Sequence, residues 1–87
     1  MNNNIFIMNL EIVTPDSKVY EGEITSIALP GIDGSFQILN NHAPIVSALG
    51  TGKMTVIDTE SQTQEYKISG GVVEMNNNKV IVLAESI

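Results

Sequence analysis

Short segments of alternating apolar and polar residues run through most of this 87-residue chain, and turn-forming residues separate them. Leu10 and Ile12 in an early segment, and Tyr66 and Ile68 in a later one, show the two-residue period of a strand with one buried face. No segment repeats apolar residues at helical spacing over three turns. The pattern predicts an all-β fold, a small antiparallel β-sandwich or flattened barrel of about eight to ten short strands.

The stretch 29–52 is the richest in turn-forming residues, with two of the three prolines, four of the seven glycines and the only histidine. Pro30-Gly31 fits the centre of a type II turn, and Asp33-Gly34 indicates a second turn. A short strand is predicted over 35–39, before His42. The backbone of this stretch is therefore set by residues with special conformational preferences.

The two ends of the chain differ in character. Residues 1–8 are predicted to be an N-terminal extension, with Met8 an alternative start, and residues 9–87 a single domain. Near the other end, residues 72–75 and 79–84 form a predicted hairpin across the asparagine run 76–78, since Asn tolerates the left-handed backbone region. Val80–Ala84 is apolar on both faces, which indicates either a fully buried sandwich strand or an outer face covered by a partner.

Composition excludes several classes of function. Four lysines, no arginine and ten acidic residues give a net charge of −6, which disfavours contact with nucleic acid or anionic lipid. The absence of cysteine excludes disulfides and thiolate metal sites. No apolar run approaches the ~20 residues that span a bilayer, and the N-terminus lacks the basic region of a signal peptide. The protein is expected to stay in the compartment where it is made.

Residues with catalytic potential are sparse. His42 is the only histidine, and Asp33 and Ser35 share no triad spacing with it. We therefore predict no catalytic residue, no metal site and no cofactor. Two other interpretations remain: an enzyme, which needs a partner for His42, and a sugar- or peptide-binding module, which needs surface aromatic residues. Only two phenylalanines, two tyrosines and no tryptophan are available for the latter.

Motifs distributed over about 75 of the 87 residues resemble a known family in order and spacing. They are Leu10-x-Ile12-Val13-Thr14-Pro15, Val19-x-x-Gly22-x-Ile24-x-x-Ile27, Pro30-Gly31-x-x-Gly34-x-Phe36-x-Ile38-Leu39, His42-Ala43-Pro44-Ile45-Val46-x-x-Leu49, Ile68-Ser69-Gly70-Gly71-Val72-Val73-Glu74 and Asn78-x-Val80-x-Val82-Leu83-Ala84-Glu85. The family is the epsilon subunit of F-type ATP synthases, and the resemblance is to its β-sandwich domain. Each motif alone is weak, but together they are specific.

The resemblance implies a non-catalytic rotor subunit of the central stalk, which docks on the gamma subunit and the ring of c subunits. It would help couple proton- or sodium-driven rotation to ATP synthesis, at the cytoplasmic face of a bacterial inner membrane and attached to that membrane only through the complex. It also implies a short form, without the C-terminal helical hairpin that inhibits ATP hydrolysis in other members.

The resemblance further assigns residues to two surfaces. The surface implied to face the c-ring comprises Ile32, Asp33, Gly34, Ser35, Phe36 and His42. The surface implied to face gamma comprises Val80, Val82 and Ala84, because these residues lie in the strand that is apolar on both faces.

Overall fold

In a computed structural model, which describes residues 7–87, eight strands form one mixed sheet folded into a β-sandwich. The strands are β1 (Met8–Val13), β2 (Lys18–Gly31), β3 (Gly34–Leu39), β4 (Ile45–Leu49), β5 (Gly52–Asp58), β6 (Thr63–Ile68), β7 (Gly71–Asn76) and β8 (Lys79–Ala84). No residue in 7–87 is helical. The predicted all-β class is confirmed, with the strand number at the lower end of the expected range.

Strand β2 belongs to both layers of the sandwich. Its first half pairs with β1, and its second half pairs with β3 and β5. The register between β2 and β5 shifts between Ile24 and Ser26, and a bulge of this kind lets a strand bend from one layer into the other. We call the layer of β4, β7, β8, β1 and the first half of β2 layer A. Layer B comprises β3, the second half of β2, β5 and β6.

One strand pair departs from the predicted antiparallel arrangement. β1 and β8 run parallel, with Leu10 opposite Val80 and Ile12 opposite Val82. These two strands are the first and last within residues 7–87, so their relative direction is set by the path of all the strands between them. No local turn signal encodes it, which is why the alternation pattern did not predict a mixed sheet.

The core lies between the two layers. It consists of the side chains that point inward, which are every second residue along each strand. The buried hydrophobic side chains are Met8, Leu10, Ile12, Ile24, Ile27, Leu29, Ile38, Leu49, Met54, Val56, Ile68, Val73, Met75, Val80, Val82 and Ala84. Five partly buried side chains, Val19, Tyr20, Phe36, Ile45 and Tyr66, pack against this cluster. The alternation at Leu10 and Ile12, and at Tyr66 and Ile68, therefore predicted the buried faces correctly.

Two turns were predicted with different success. Asn77 and Asn78 form the turn between β7 and β8 with φ of 53° and 60°, so the predicted left-handed asparagine hairpin is confirmed. Pro30-Gly31, in contrast, is not a turn. Both residues lie in β2, and the chain reverses through Ile32 and Asp33, between the paired Gly31 and Gly34. The turn predicted at Pro30-Gly31 is therefore wrong. A single two-residue turn at 32–33 stands in place of the two turns predicted at Pro30-Gly31 and Asp33-Gly34.

Met8 belongs to the folded domain, not to the extension in which the sequence pattern placed it. Its side chain is fully buried, and it pairs with Ile24. Residues 1–6 lie outside the described part of the chain. Within residues 7–87 the structure forms no helix of the length and hydropathy that crossing a membrane requires.

We expect Met8→Ala to lower the free energy of unfolding by about 2–4 kcal/mol, because a buried side chain is replaced by a cavity. Asn9→Ala is the matched control: Asn9 is the next residue of β1, it is exposed, and we expect a change within about 0.5 kcal/mol. Urea unfolding curves of the three proteins measure both effects. Equal, small effects for the two variants would contradict the placement of Met8 in the core.

Candidate partner-binding surfaces

The turn between β2 and β3 carries an exposed apolar side chain at its tip. Ile32 is 65% exposed at its tip, beside the exposed Asp33. The turn is fixed to the end of β4, since Ile32 N–H donates to the Ala48 carbonyl at 3.2 Å and Gly50 N–H donates to the Pro30 carbonyl at 2.8 Å. A tip held by two such bonds presents Ile32 and Asp33 in a defined orientation.

The residues predicted to face the c-ring do not form one surface. Gly34 and Ser35 are exposed next to the turn, whereas Phe36 packs against the core. His42 follows the far end of β3, and a strand of this length separates the two ends by about 17 Å. The structure therefore keeps Ile32, Asp33, Gly34 and Ser35 together but places His42 at the opposite end of the strand.

His42 lies instead beside the asparagine turn of β7 and β8. Asn41 N–H donates to Asn78 Oδ1 at 2.6 Å, and Asn78 Nδ2 donates to Asn41 Oδ1 at 3.3 Å. The His42 ring Nδ1 is 2.7 Å from the Ala43 carbonyl oxygen. Because Asp33 and Ser35 are at the other end of β3, these residues do not form one acid–base site with His42. Within residues 7–87 no three His, Asp or Glu side chains gather as metal ligands.

The residues predicted to face gamma are in the core. Val80 and Val82 are 0% exposed and Ala84 is 3% exposed, so the prediction that they form a docking surface is wrong for the folded domain. The neighbouring outward residue Leu83 is 55% exposed, and Ile81 is partly exposed. Strand β8 was correctly recognised as apolar on both faces, but the face available to a partner is the other one.

Leu83 is part of a row of apolar side chains that crosses the outer face of layer A. The strand register places Ala48 opposite Val72, Val72 opposite Leu83, and Leu83 opposite Val13. Ala48, Val72 and Leu83 are exposed, and Val13 is half-buried. We call these four residues the apolar row. At its β4 end the row meets the turn, because Ala48 accepts the hydrogen bond from Ile32.

Carboxylates flank the apolar row on both sides. Glu74 lies two residues from Val72 in β7, opposite Val46 and Ile81, and Glu85 lies two residues from Leu83, just beyond the end of β8; both carboxylates are exposed. Among the described residues, neither forms an ion pair, whereas Lys18 bridges Glu11 and Glu21 at 3.1 and 3.0 Å. The hydrogen bonds that Lys18 donates to Glu21 and Glu11 raise the pKa of Lys18. The unpaired negative charge near the row is therefore that of Glu74 and Glu85.

The outer face of layer B is different in chemistry. Its exposed positions include Gln37, Glu65 and Lys67, and Lys53 pairs with Glu65 at 3.4 Å. Leu39 is an isolated exposed leucine on this face, 49% exposed. A contiguous apolar strip rimmed by charge is typical of a protein-interaction site, whereas single exposed apolar residues are ordinary. Layer A, not layer B, therefore carries the candidate interface.

The aromatic residues within 7–87 are poorly placed for sugar or peptide binding. Phe36, Tyr20 and Tyr66 all pack partly buried against the core. Burial, with smaller contributions from Asp58 and Tyr66, raises the pKa of the Tyr20 phenol. Tyr66 donates its hydroxyl to Gln64 at 2.9 Å. These rings stabilise the fold and do not line an open groove.

Comparison with known proteins decides the family. The sequence model of "ATP synthase, Delta/Epsilon chain, beta-sandwich domain" matches residues 7–87. The chain belongs to this family. The ATP synthase epsilon chain of Chlorobium limicola is 41% identical over 78 residues, which cover 90% of this chain and 89% of that one. The epsilon chain of Maridesulfovibrio salexigens is 47% identical over 76 residues, covering 87% of this chain and 53% of that one.

Solved structures show the same ATP synthase sandwich fold at lower identity. A chain of the Euglena gracilis mitochondrial ATP synthase, from a structure of OSCP, F1 and c-ring, superposes with a TM-score of 0.88 at 21% identity. A chain of the Tetrahymena thermophila central stalk and c-ring gives 0.73 at 16% identity. These matches cover 94% and 91% of this chain, and 53% and 63% of the matched chains. The chain thus spans between half and two-thirds of those relatives.

The apolar row of this epsilon-type sandwich was not predicted from the sequence. Its members are the outward residues of four strands, and each follows or precedes a buried apolar neighbour. In the sequence they appear as doublets such as Val72-Val73 and Leu83-Ala84. Only the strand register shows that the outward members of these doublets lie side by side. The doublets were the available signal, and the pairing of β4, β7, β8 and β1 was the missing information.

Proposed function

We propose that this chain is a rotor subunit of a rotary ATP synthase that docks on the gamma subunit through the apolar row. The observation that carries the proposal is the row itself, a strip of exposed apolar side chains on one face of a domain from the ATP synthase delta/epsilon family. Exposing several neighbouring apolar side chains to water is unfavourable. A permanent contact with another subunit would cover the apolar row and remove this cost.

The c-ring contact is proposed for the turn of β2 and β3. Ile32 and Asp33 project from the end of the sandwich, and the turn is contiguous with the apolar row through Ala48. One continuous surface can therefore contact two neighbouring subunits that rotate together. The domain carries no catalytic residues in this proposal. It acts as a rigid link through which rotation of the ring, driven by protons or sodium ions, reaches gamma.

Membrane association is indirect in this proposal. The domain has a net charge of −6, which disfavours direct contact with anionic lipid. Attachment through the c-ring and gamma would hold it at the cytoplasmic face of a bacterial inner membrane without a lipid contact of its own.

The test is reconstitution of the tagged chain with purified gamma subunit from the same organism. We expect a one-to-one complex that survives gel filtration at micromolar concentration. Gel filtration of the chain alone is the control, since self-association through the row would also bury it. A folded chain that does not bind gamma would overturn the proposal.

The c-ring contact is tested by Ile32→Asp and Asp33→Lys in the complex with gamma. We expect each variant to bind gamma as the wild type does, because both side chains are beyond the row, and to lower affinity for detergent-solubilised c-ring about tenfold. Single surface contacts of this kind are worth about 1–2 kcal/mol at an interface. Thr59→Lys, in the exposed turn between β5 and β6, controls for general charge effects. Unchanged ring affinity for both turn variants would contradict the assignment.

A further inference from the structure

We propose that two copies of this chain pair edge to edge through β6 and form a symmetric dimer. Strand β6 is the last strand of layer B, and within residues 7–87 it pairs only with β5. Every second backbone N–H and C=O group of β6 therefore points away from the sheet, and an unpaired strand edge is a template for another strand. This contact goes beyond the proposed function, since it uses neither the apolar row nor the turn of β2 and β3.

The edge of β6 is regular along its whole length. The strand contains no proline or glycine, and its register with β5 runs without a bulge from Thr63 to Ile68. A lysine often prevents pairing at an edge, but Lys67 lies two residues from Glu65, and both side chains are exposed on the outer face of layer B. A second strand that carries the same two charges can therefore neutralise both.

Symmetry limits how an identical strand can add to this edge. A two-fold axis normal to the sheet makes the two β6 strands antiparallel, keeps outward residues opposite outward residues and places one residue opposite its own copy. With Tyr66 at the axis, Glu65 of each copy lies opposite Lys67 of the other. An axis at Glu65 or at Lys67 places like charges directly opposite each other, which is destabilising. The charges of β6 therefore select one register.

The surroundings of Lys67 support this register independently. Lys67 lies directly opposite Lys53 of β5, and among the described residues it forms no ion pair. Lys53 instead pairs with Glu65, at 3.4 Å. Like charges directly opposite each other are unfavourable, and a second copy brings a carboxylate to Lys67 from the open side of β6. The single chain thus has an uncompensated cation at the position where the dimer supplies an acid.

Tyr66, the residue at the axis, suits that position. It packs against the core but stays partly exposed. In the dimer the two tyrosines lie opposite each other, and aromatic pairs across neighbouring strands are favourable. The Tyr66 hydroxyl donates to Gln64 at 2.9 Å, so the phenol is already hydrogen-bonded without the second copy.

The other edge of layer B does not fit β6. Within residues 7–87, β3 pairs only with β2, so one side of β3 is also open. Its outward residues Ser35 and Gln37 carry no charge, and pairing with β3 would leave Glu65 and Lys67 of β6 without partners. Pairing of β6 with β3 would also be a head-to-tail contact that extends into an open chain of copies, whereas pairing of β6 with β6 closes after two. A dimer is therefore the expected assembly.

Exchange of the two charges tests the register by sedimentation equilibrium of the chain alone. Glu65→Lys and Lys67→Glu each place like charges on both sides of the axis, so we expect each variant to self-associate about tenfold more weakly than the wild type. In an equimolar mixture of the two variants every introduced charge meets its opposite, and association should return to within about threefold of wild type. Lys79→Glu, an exposed position in β8, makes the same charge change away from β6 and should have an effect within about twofold.

Amide hydrogen exchange locates the contact. We expect alternate amides of β6 to gain protection as the concentration of the chain rises, while the amides of β3 do not change. A chain that stays monomeric up to about 1 mM, or a mixture of the two variants that does not recover association, would overturn the proposal. So would association that persists in both variants but is lost in Leu83→Asp, because it would then use the apolar row. None of these measurements involves gamma, so their failure leaves the proposed function untouched.

Discussion

Leu83→Asp should reduce the affinity of the domain for gamma about 100-fold, the largest effect we expect from any single surface substitution. Leu83 is 55% exposed and central in the apolar row, between Val72 and Val13. Removing a central apolar anchor of an interface costs about 2–4 kcal/mol, and each 1.4 kcal/mol is a factor of ten. The new carboxylate would also lie near the carboxylate of Glu85, and burying two like charges in one contact is unfavourable.

The matched control for this substitution is Leu39→Asp. Leu39 is also an exposed leucine in a strand, but it lies on the outer face of layer B. We expect it to bind gamma within about twofold of wild type, and we expect both variants to melt within a few degrees of wild type because neither side chain is in the core. Calorimetric titration and thermal melts provide the measurements. Equal loss of binding in the two variants would contradict the difference between the two faces.

The neighbouring residue shows why the sequence alone misassigned this surface. Val82 and Leu83 are both apolar members of β8, yet Val82 is 0% exposed and Leu83 is exposed. In a strand that alternates apolar and polar residues, the pattern itself identifies the inner face. In Val80–Ala84 every residue is apolar, so the pattern shows that both sides of the strand are apolar. It does not show which side points into the core. The direction is set by the pairing of β8 with β1 and β7, which is a long-range property.

Local signals explain the parts that were predicted correctly. Asn77 and Asn78 adopt the left-handed conformation that their side chains tolerate, and the hairpin they join follows from nearby alternation. The position of His42 depends on more than local sequence. His42 is ten residues after Ile32 along the chain, but the extended strand β3 separates them and places them at its opposite ends. Closeness along the chain was a poor guide to closeness in space.

Gly71 is the residue at which we expect the largest loss of stability. It begins β7 with φ of 153°, a conformation that L-residues rarely adopt. A Cβ at this position would lie 2.2 Å from the Leu83 carbonyl oxygen and 3.0 Å from Ala84 Cα. Both are backbone atoms of the paired strand β8, so no side-chain rotation can relieve the contact. Gly71→Ala must therefore separate β7 from β8 or distort their register.

We expect Gly71→Ala to lower the free energy of unfolding by about 3 kcal/mol or more, from steric overlap together with backbone strain. A domain of this size has a total stability of only about 4–13 kcal/mol, so a large part of it would be lost. Gly34→Ala is the matched control, since Gly34 has φ of 129° but a Cβ added there would meet no atom within 4 Å. Conformational strain alone should then cost about 1–2 kcal/mol.

The difference between the two glycine variants in urea unfolding isolates the packing contribution at Gly71. It also bears on function, because β7 and β8 carry Val72 and Leu83, the middle pair of the apolar row. Separation of these strands should weaken gamma binding even under conditions where Gly71→Ala remains folded, whereas Gly34→Ala should bind normally. Similar stabilities for both variants would show that β7 and β8 can move apart at little cost. The row could not then be the rigid contact through which rotation is transmitted.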